Sequence, residues 1–245
     1  MIAAELYKVR THRTPLMAFA ALLAASVIPS IVLIWYTPAS SGSYLTAFAA
    51  TWSTVAVLMS VVFGGWLLGT EYRQDTVKRM LTTQPRRLTA LGSKAAVGVS
   101  VLSAALVATA SIGWLAARLV ASMNDVTVAW NGRELLASGV TALIAAAMSF
   151  VLSAITKSDS FAMVGTVGTL LILNPLLSLI PNVGKYTFGQ ALEVITTEIE
   201  GVSEAAAMGF GVSPELSLTA AIVTVSAWLG GLALAGTALF QRRDV

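Results

Sequence analysis

The chain has 245 residues, of which 56% are hydrophobic and only 11% charged, with a formal net charge of +3, one histidine and no cysteine. So small a charged fraction excludes an ordinary water-soluble domain, in which about a quarter of the residues are charged, and the absence of cysteine excludes a disulfide framework, a thiolate nucleophile and a cysteine metal site. The basic residues collect at the ends of apolar runs instead of on one soluble face, so membrane topology explains them and nucleic acid is not an expected partner.

The first 13 residues place Ile2, Leu6 and Val9 at helical spacing, with Glu5, Lys8, Arg10 and Arg13 on other faces, which predicts an interfacial amphipathic helix. His12 lies among these cations and is expected to face solvent or lipid headgroups, not a metal. A first span is predicted over residues 15–36, with Thr14 as N-cap and Pro15 at the first helical position. At about 1.5 Å per residue it crosses the ~30 Å hydrocarbon core. Pro29 predicts a kink. A cleavable signal sequence is the competing reading of this start, but the apolar run is longer than the ~7–15 residues such a segment uses.

A second span is predicted over 44–69, with Gly64, Gly65 and Gly69 permitting close approach of another helix. A polar stretch, 70–94, then precedes a third span over 95–120. An outer loop leads to a fourth span over 135–155 and a tight inner turn containing Lys157. The fifth span, 161–183, is interrupted by Asn174-Pro175 and by Pro181, so its outer half is expected to bend or break. The segment 184–215 is rich in glutamate, including Glu193, Glu198 and Glu200, and a short amphipathic helix is predicted over 189–199, at or dipping into the outer interface. A sixth span covers 216–240.

With both termini inside, 12 of the 15 Lys and Arg residues fall on inner segments, as the positive-inside rule requires. The expected fold is therefore all-α: a single membrane domain of six transmembrane helices in the plasma membrane, with cytoplasmic termini.

The predicted spans carry no Asp, Glu, Lys or His near their centres, which disfavours ion-coupled transport. There is no phosphate-binding Gly-rich loop, and the serines lack a partnering histidine or a Ser-x-x-Lys pattern, so no catalytic constellation is found.

The stretch 70–94 holds six basic residues. Read as a helix over 70–83, it spaces Glu71, Asp75 and Arg79 by four and groups Val77, Met80 and Leu81 into an apolar patch, before Pro85 stops it. A basic inner loop on anionic lipid is the plainer reading. A loop needed only for topology, however, requires neither two carboxylates beside the membrane nor a helix with a defined stop.

Here the sequence resembles the ABC-2 type permeases of ATP-binding-cassette transporters. The matching residues are Glu71, Tyr72, Arg73, Thr76, Arg79, Leu81, Pro85, Arg86 or Arg87, and Gly92-Ser93-Lys94 at the entry to the third span. The likeness extends to the start (Glu5, Lys8, Arg10), the six spans, the long outer segment and the ending from Phe240 to Val245. Asp75 departs from the pattern, in which glycine is common before the threonine.

The resemblance implies a coupling helix that docks in a cleft of a separate ABC ATPase subunit. Two such subunits would bind ATP and Mg, and this chain would need no cofactor of its own. It further implies a second permease subunit, identical or paralogous, and export of an amphipathic drug, lipid or peptide antibiotic. In that picture Glu71, Tyr72, Arg73, Asp75, Thr76, Val77, Arg79, Met80, Leu81, Pro85 and Arg86 couple to the ATPase. Separately, the break at Asn174 and Pro175 makes these two residues candidates for the substrate path, with a helix bend packed against a neighbour as an equally good reading. The reading from a different class is a membrane scaffold or immunity-type protein that sequesters a ligand or anchors a partner.

Overall fold

A computed structural model describes residues 2–35, 41–74, 76, 87–123, 132–180, 183–201 and 216–242. Every regular element among them is helical. In chain order they are α1 (Ile2–Thr11), α2 (Arg13–Trp35), α3 (Ser41–Arg73), α4 (Arg87–Ser122), α5 (Gly132–Thr156), α6 (Asp159–Gly168), a π-helical turn (Thr169–Leu173), α7 (Asn174–Ser178), a 3-10 turn (Gly184–Tyr186), α8 (Phe188–Glu200) and α9 (Leu218–Arg242). Six segments are long and apolar enough to cross a membrane: α2, α3, α4, α5, the run from α6 through α7, and α9.

The core lies where α2, α3, α4 and α5 meet, around Leu22, Phe48, Trp52, Phe63, Trp66, Leu102, Leu106 and Ala142. Glycine makes this seam possible. A Cβ on Gly64 would stand 2.2 Å from the Ala146 carbonyl oxygen, and one on Gly69 would stand 2.5 Å from the Asp159 Cα, so α3 lies backbone to backbone against α5 and the start of α6. A hydrogen bond also joins α3 to α4, from Trp52 Nε1 to Thr109 Oγ1 at 3.1 Å. Elsewhere in the spans most serine and threonine hydroxyls bond to their own helix, as Ser26 does to the Leu22 carbonyl at 2.8 Å.

Several boundaries differ from the predicted ones. The first span begins at Arg13, not Pro15; proline is still harmless there, because the first turn's N–H groups have no intrahelical acceptor. The helix of the third span begins at Arg87, seven residues before Lys94, so that cation lies inside a helix instead of ending a loop. It can do so because two carboxylates neutralise it, as described below. At 33 and 36 residues, α3 and α4 are about 50 Å long, well beyond the ~30 Å apolar core of a bilayer. Their ends therefore reach the polar region.

The fifth span breaks earlier than the proline itself. Pro175 has no N–H for the Leu171 carbonyl, and its ring would crowd that oxygen in a regular α-helix. The chain widens instead into the π-helical turn, in which the Asn174 N–H donates to the Thr169 carbonyl five residues back. The helix resumes for only five residues.

The chain then turns back into the bundle. The Tyr186 carbonyl accepts a hydrogen bond of 3.2 Å from Trp228 Nε1, close to the middle of α9. At its other end α8 closes on Gly201, at φ +70°, beside the Arg133 guanidinium at the start of α5. Helix α8 thus folds back against the bundle, starting alongside the middle of α9 and ending beside the start of α5. Its buried face, Phe188, Ala191 and Leu192, packs in a cluster with Met148, Ala221 and Val225. Residues 202–215 lie outside the described residues.

Candidate functional site

The ends of α3 and α4 that flank the polar stretch are joined by charge. Lys94 is fully buried, and its ammonium group donates to Glu5 Oε1 at 2.5 Å and to Glu71 Oε1 at 2.9 Å. The same Glu71 oxygen accepts a third bond, from Lys8 Nζ at 2.8 Å. The result is an alternating chain, Lys8–Glu71–Lys94–Glu5, with no net charge. An unpaired ammonium in this position would be prohibitively unfavourable; a paired one holds its partners in fixed geometry.

Helix α1 supplies half of this chain, with Glu5 and Lys8. Glu5 and Val9 are buried, Lys8 and His12 are half-buried, and Leu6 and Tyr7 point outward. Residues 5, 8, 9 and 12 form one helical face, and the need of Lys94 for carboxylates selects it over the apolar one. Trp66 completes the seat. Its ring lies 5.1 Å below Lys8 Nζ and 5.3 Å from the His12 ring, and it stacks on Phe63 at 5.9 Å. His12 is accordingly packed against an aromatic ring and not turned to solvent as expected. No group of three or more metal-ligating side chains occurs among the described residues.

The structure separates the sequence-predicted coupling residues. Glu71 closes the ionic chain. Tyr72 is half-buried against the cluster of Leu68, Ala90, Leu91 and Phe240. Arg73 is 56% exposed and pairs at 2.8 Å with Asp159, in the first turn of α6. The Thr76 N–H donates to the Glu71 carbonyl at 2.9 Å, and its hydroxyl lies 3.4 Å from Glu71 Oε2.

The predicted helix over 70–83 is therefore corrected at its start: the first four of its residues are the last turn of α3, and the backbone has left helical geometry by Thr76. With its side chain drawn toward Lys94 and its carbonyl bonded by Thr76, Glu71 is committed inward. Asp75, Val77, Arg79, Met80, Leu81, Pro85 and Arg86 lie outside the described residues.

Sequence reasoning missed Glu5, Lys8, Lys94 and Asp159 as members of this site. For Glu5, Lys8 and Lys94 the signal was the family likeness, which marks the start of the chain and the entry to the third span without saying that the two meet. Asn174 and Pro175, predicted on the path, line a cleft of about 310 Å³ between the broken fifth span and α8, opposite Gln190 and Glu193.

With both regions in view, one comparison is decisive: the family model described as ABC-2 family transporter protein matches residues 1–174. The chain belongs to that family. No curated protein matches it. As an ABC-2 family member with six membrane-crossing helices, the chain is a multi-pass membrane protein with a permease role. The match contains every residue of the ionic chain and stops at Asn174, so the α8 wall of the cleft lies beyond it.

Proposed function

We propose that this ABC-2 protein is the membrane-spanning subunit of an ABC exporter for an amphipathic substrate, and that the stretch between α3 and α4 is the handle by which a separate ATPase drives it. ATP and Mg would sit on two ATPase subunits in the cytoplasm. A second permease subunit, identical or paralogous, would complete the complex in the plasma membrane, and both termini would be cytoplasmic.

The observation that carries this reading is the clasp at the base of the handle. Glu71 precedes the stretch and Lys94 follows it, and their 2.9 Å contact ties the two ends together. Lys8 and Glu5 add α1 to the same knot. A force applied to the stretch would move α1, α3 and α4 as one body, because displacing any of them singly exposes a buried charge. An ordinary topological loop needs no such root.

Because Glu71 is committed to Lys94, the docking contacts fall to Asp75 and Arg79 for charge and to Val77, Met80 and Leu81 for the apolar cleft of the ATPase. The double variant Asp75→Lys, Arg79→Glu should retain the thermal unfolding midpoint of the chain, lose copurification with the ABC ATPase and lose substrate-stimulated ATP hydrolysis. Normal assembly together with unchanged transport would sink the reading.

A further inference from the structure

The cleft between the broken fifth span and α8 gathers polar side chains that meet no protein partner among the described residues. Asn174 is 8% exposed, and its side-chain amide makes no hydrogen bond among the described residues. Gln190 and Glu193, one helical turn apart on α8, turn half-buried side chains into the same space, and neither side chain is bonded or ion-paired among the described residues. Gly189 allows this convergence, since a Cβ there would stand 2.7 Å from the Asn174 amide. Helix α8 begins beside the middle of α9, which sets its carboxylate against the bundle instead of at the tip of a loop.

The chemistry of the lining narrows the ligand. A carboxylate, two amide oxygens and the hydroxyl oxygens of Ser178 and Thr187 offer acceptors to a cation. An anion at the N-terminus of α8 is the alternative. It would face Glu193 at close range, and Thr187 already caps that terminus through the Gln190 N–H. A bare metal ion would not fill the space: about 310 Å³ corresponds to roughly ten water volumes. Leu170 and Pro175 give one wall apolar character. Burial also pushes the Glu193 carboxyl above its ordinary value of 4.5, as expected of an acid with no counter-ion beside it.

We propose that this cleft binds the primary ammonium group of an amine-bearing amphipathic molecule, with Glu193 as counter-ion and Asn174 and Gln190 as hydrogen-bond acceptors. The proposal deepens the exporter reading by naming the chemistry of the substrate path beyond the helix break. Binding needs no ATPase, so it can fail while coupling stands, and the reverse.

The test uses the full chain in phosphatidylcholine nanodiscs, titrated calorimetrically with decylammonium, with decanol and decyl sulfate as neutral and anionic controls and empty discs as background. Decylammonium should bind saturably, and loss of one charge-assisted contact in Glu193→Gln should weaken it about tenfold or more. Gln190→Ala should weaken it severalfold, whereas Glu198→Gln, on the exposed side of the same helix, should leave it unchanged. Gln190→Ala also decides the matter if Glu193→Gln does not fold. Adding phosphatidylethanolamine separates two sources of the same group: competition assigns a lipid headgroup, and its absence a free amine. Equal binding of decanol, preference for decyl sulfate, or indifference to both cleft variants would overturn the proposal.

Discussion

The two polar regions of this membrane protein handle buried charge in opposite ways. At the end shared by α1, α3 and α4, two lysines and two glutamates alternate within 2.9 Å of one another, and their charges cancel. In the cleft beside α8, a carboxylate and two amides converge with no partner among the described residues. The first arrangement fixes geometry, because no member can leave without stranding another. The second leaves interaction energy unused, which is the condition for binding something from outside. On our proposals, the first region transmits motion and the second receives a ligand.

The comparison is broken most severely at Lys94. Lys94→Met leaves Glu5 and Glu71 buried and facing each other, and should destabilise the chain by about 3–5 kcal/mol, read as a large fall in the thermal unfolding midpoint in detergent. Adding Glu5→Gln and Glu71→Gln should recover part of that loss, since a neutral polar core strands no charge. A midpoint unchanged by Lys94→Met would mean that the clasp does not hold α1 in place.

Gly69→Val attacks the same end through packing. Its Cβ would overlap the Asp159 backbone, with the nearest atom 2.5 Å away, and overpacking of this kind costs about 1–3 kcal/mol. Arg73→Gln removes the other ion pair at this end, but Arg73 is 56% exposed, so the expected loss is below about 1 kcal/mol. A larger loss would place Arg73 within the clasp and not beside it.

The smallest effect, with the opposite sign, belongs to the cleft. The folded-state value of Glu193 is raised by burial, and that of Glu200 by burial and then by the nearby Glu134 charge. The folded chain therefore holds these protons more tightly than the unfolded chain does. Their contribution to stability is complete below the ordinary value of 4.5 and is lost as pH rises through the raised folded values. Glu193→Gln should then be neutral or slightly stabilising at pH 7 and should flatten the fall in unfolding midpoint above pH 4.5. A clear destabilisation at neutral pH would show that the carboxylate has a structural partner, and the contrast with the clasp would vanish.

Much of the architecture was legible before any coordinates. Apolar runs of bilayer length announce the spans, because each must satisfy its backbone internally. Gly64 and Gly69 announced a close seam, and Asn174-Pro175 announced a break. What sequence reading misjudged were questions of partnership. Apolar spacing in α1 predicts an interfacial helix and does not show that its opposite face meets the bundle, where Lys94 requires Glu5. The spans were read as free of central charge, which they are, yet α8 folds back on the bundle and brings Glu193 to a cleft from a segment that reads as an outer loop.

The sequence by itself determined that the chain is helical, crosses the membrane six times and sorts its cations to one side. Those properties follow from local hydropathy and charge, which each segment carries alone. Only the tertiary structure decided that Lys8, Glu71, Lys94 and Glu5 form one neutral chain rooting the polar stretch, and that Asn174 and Glu193 share a cleft. The first joins residues 89 positions apart in sequence and the second joins the two sides of the helix break, and no local pattern specifies which charge finds a partner and which is left waiting for one.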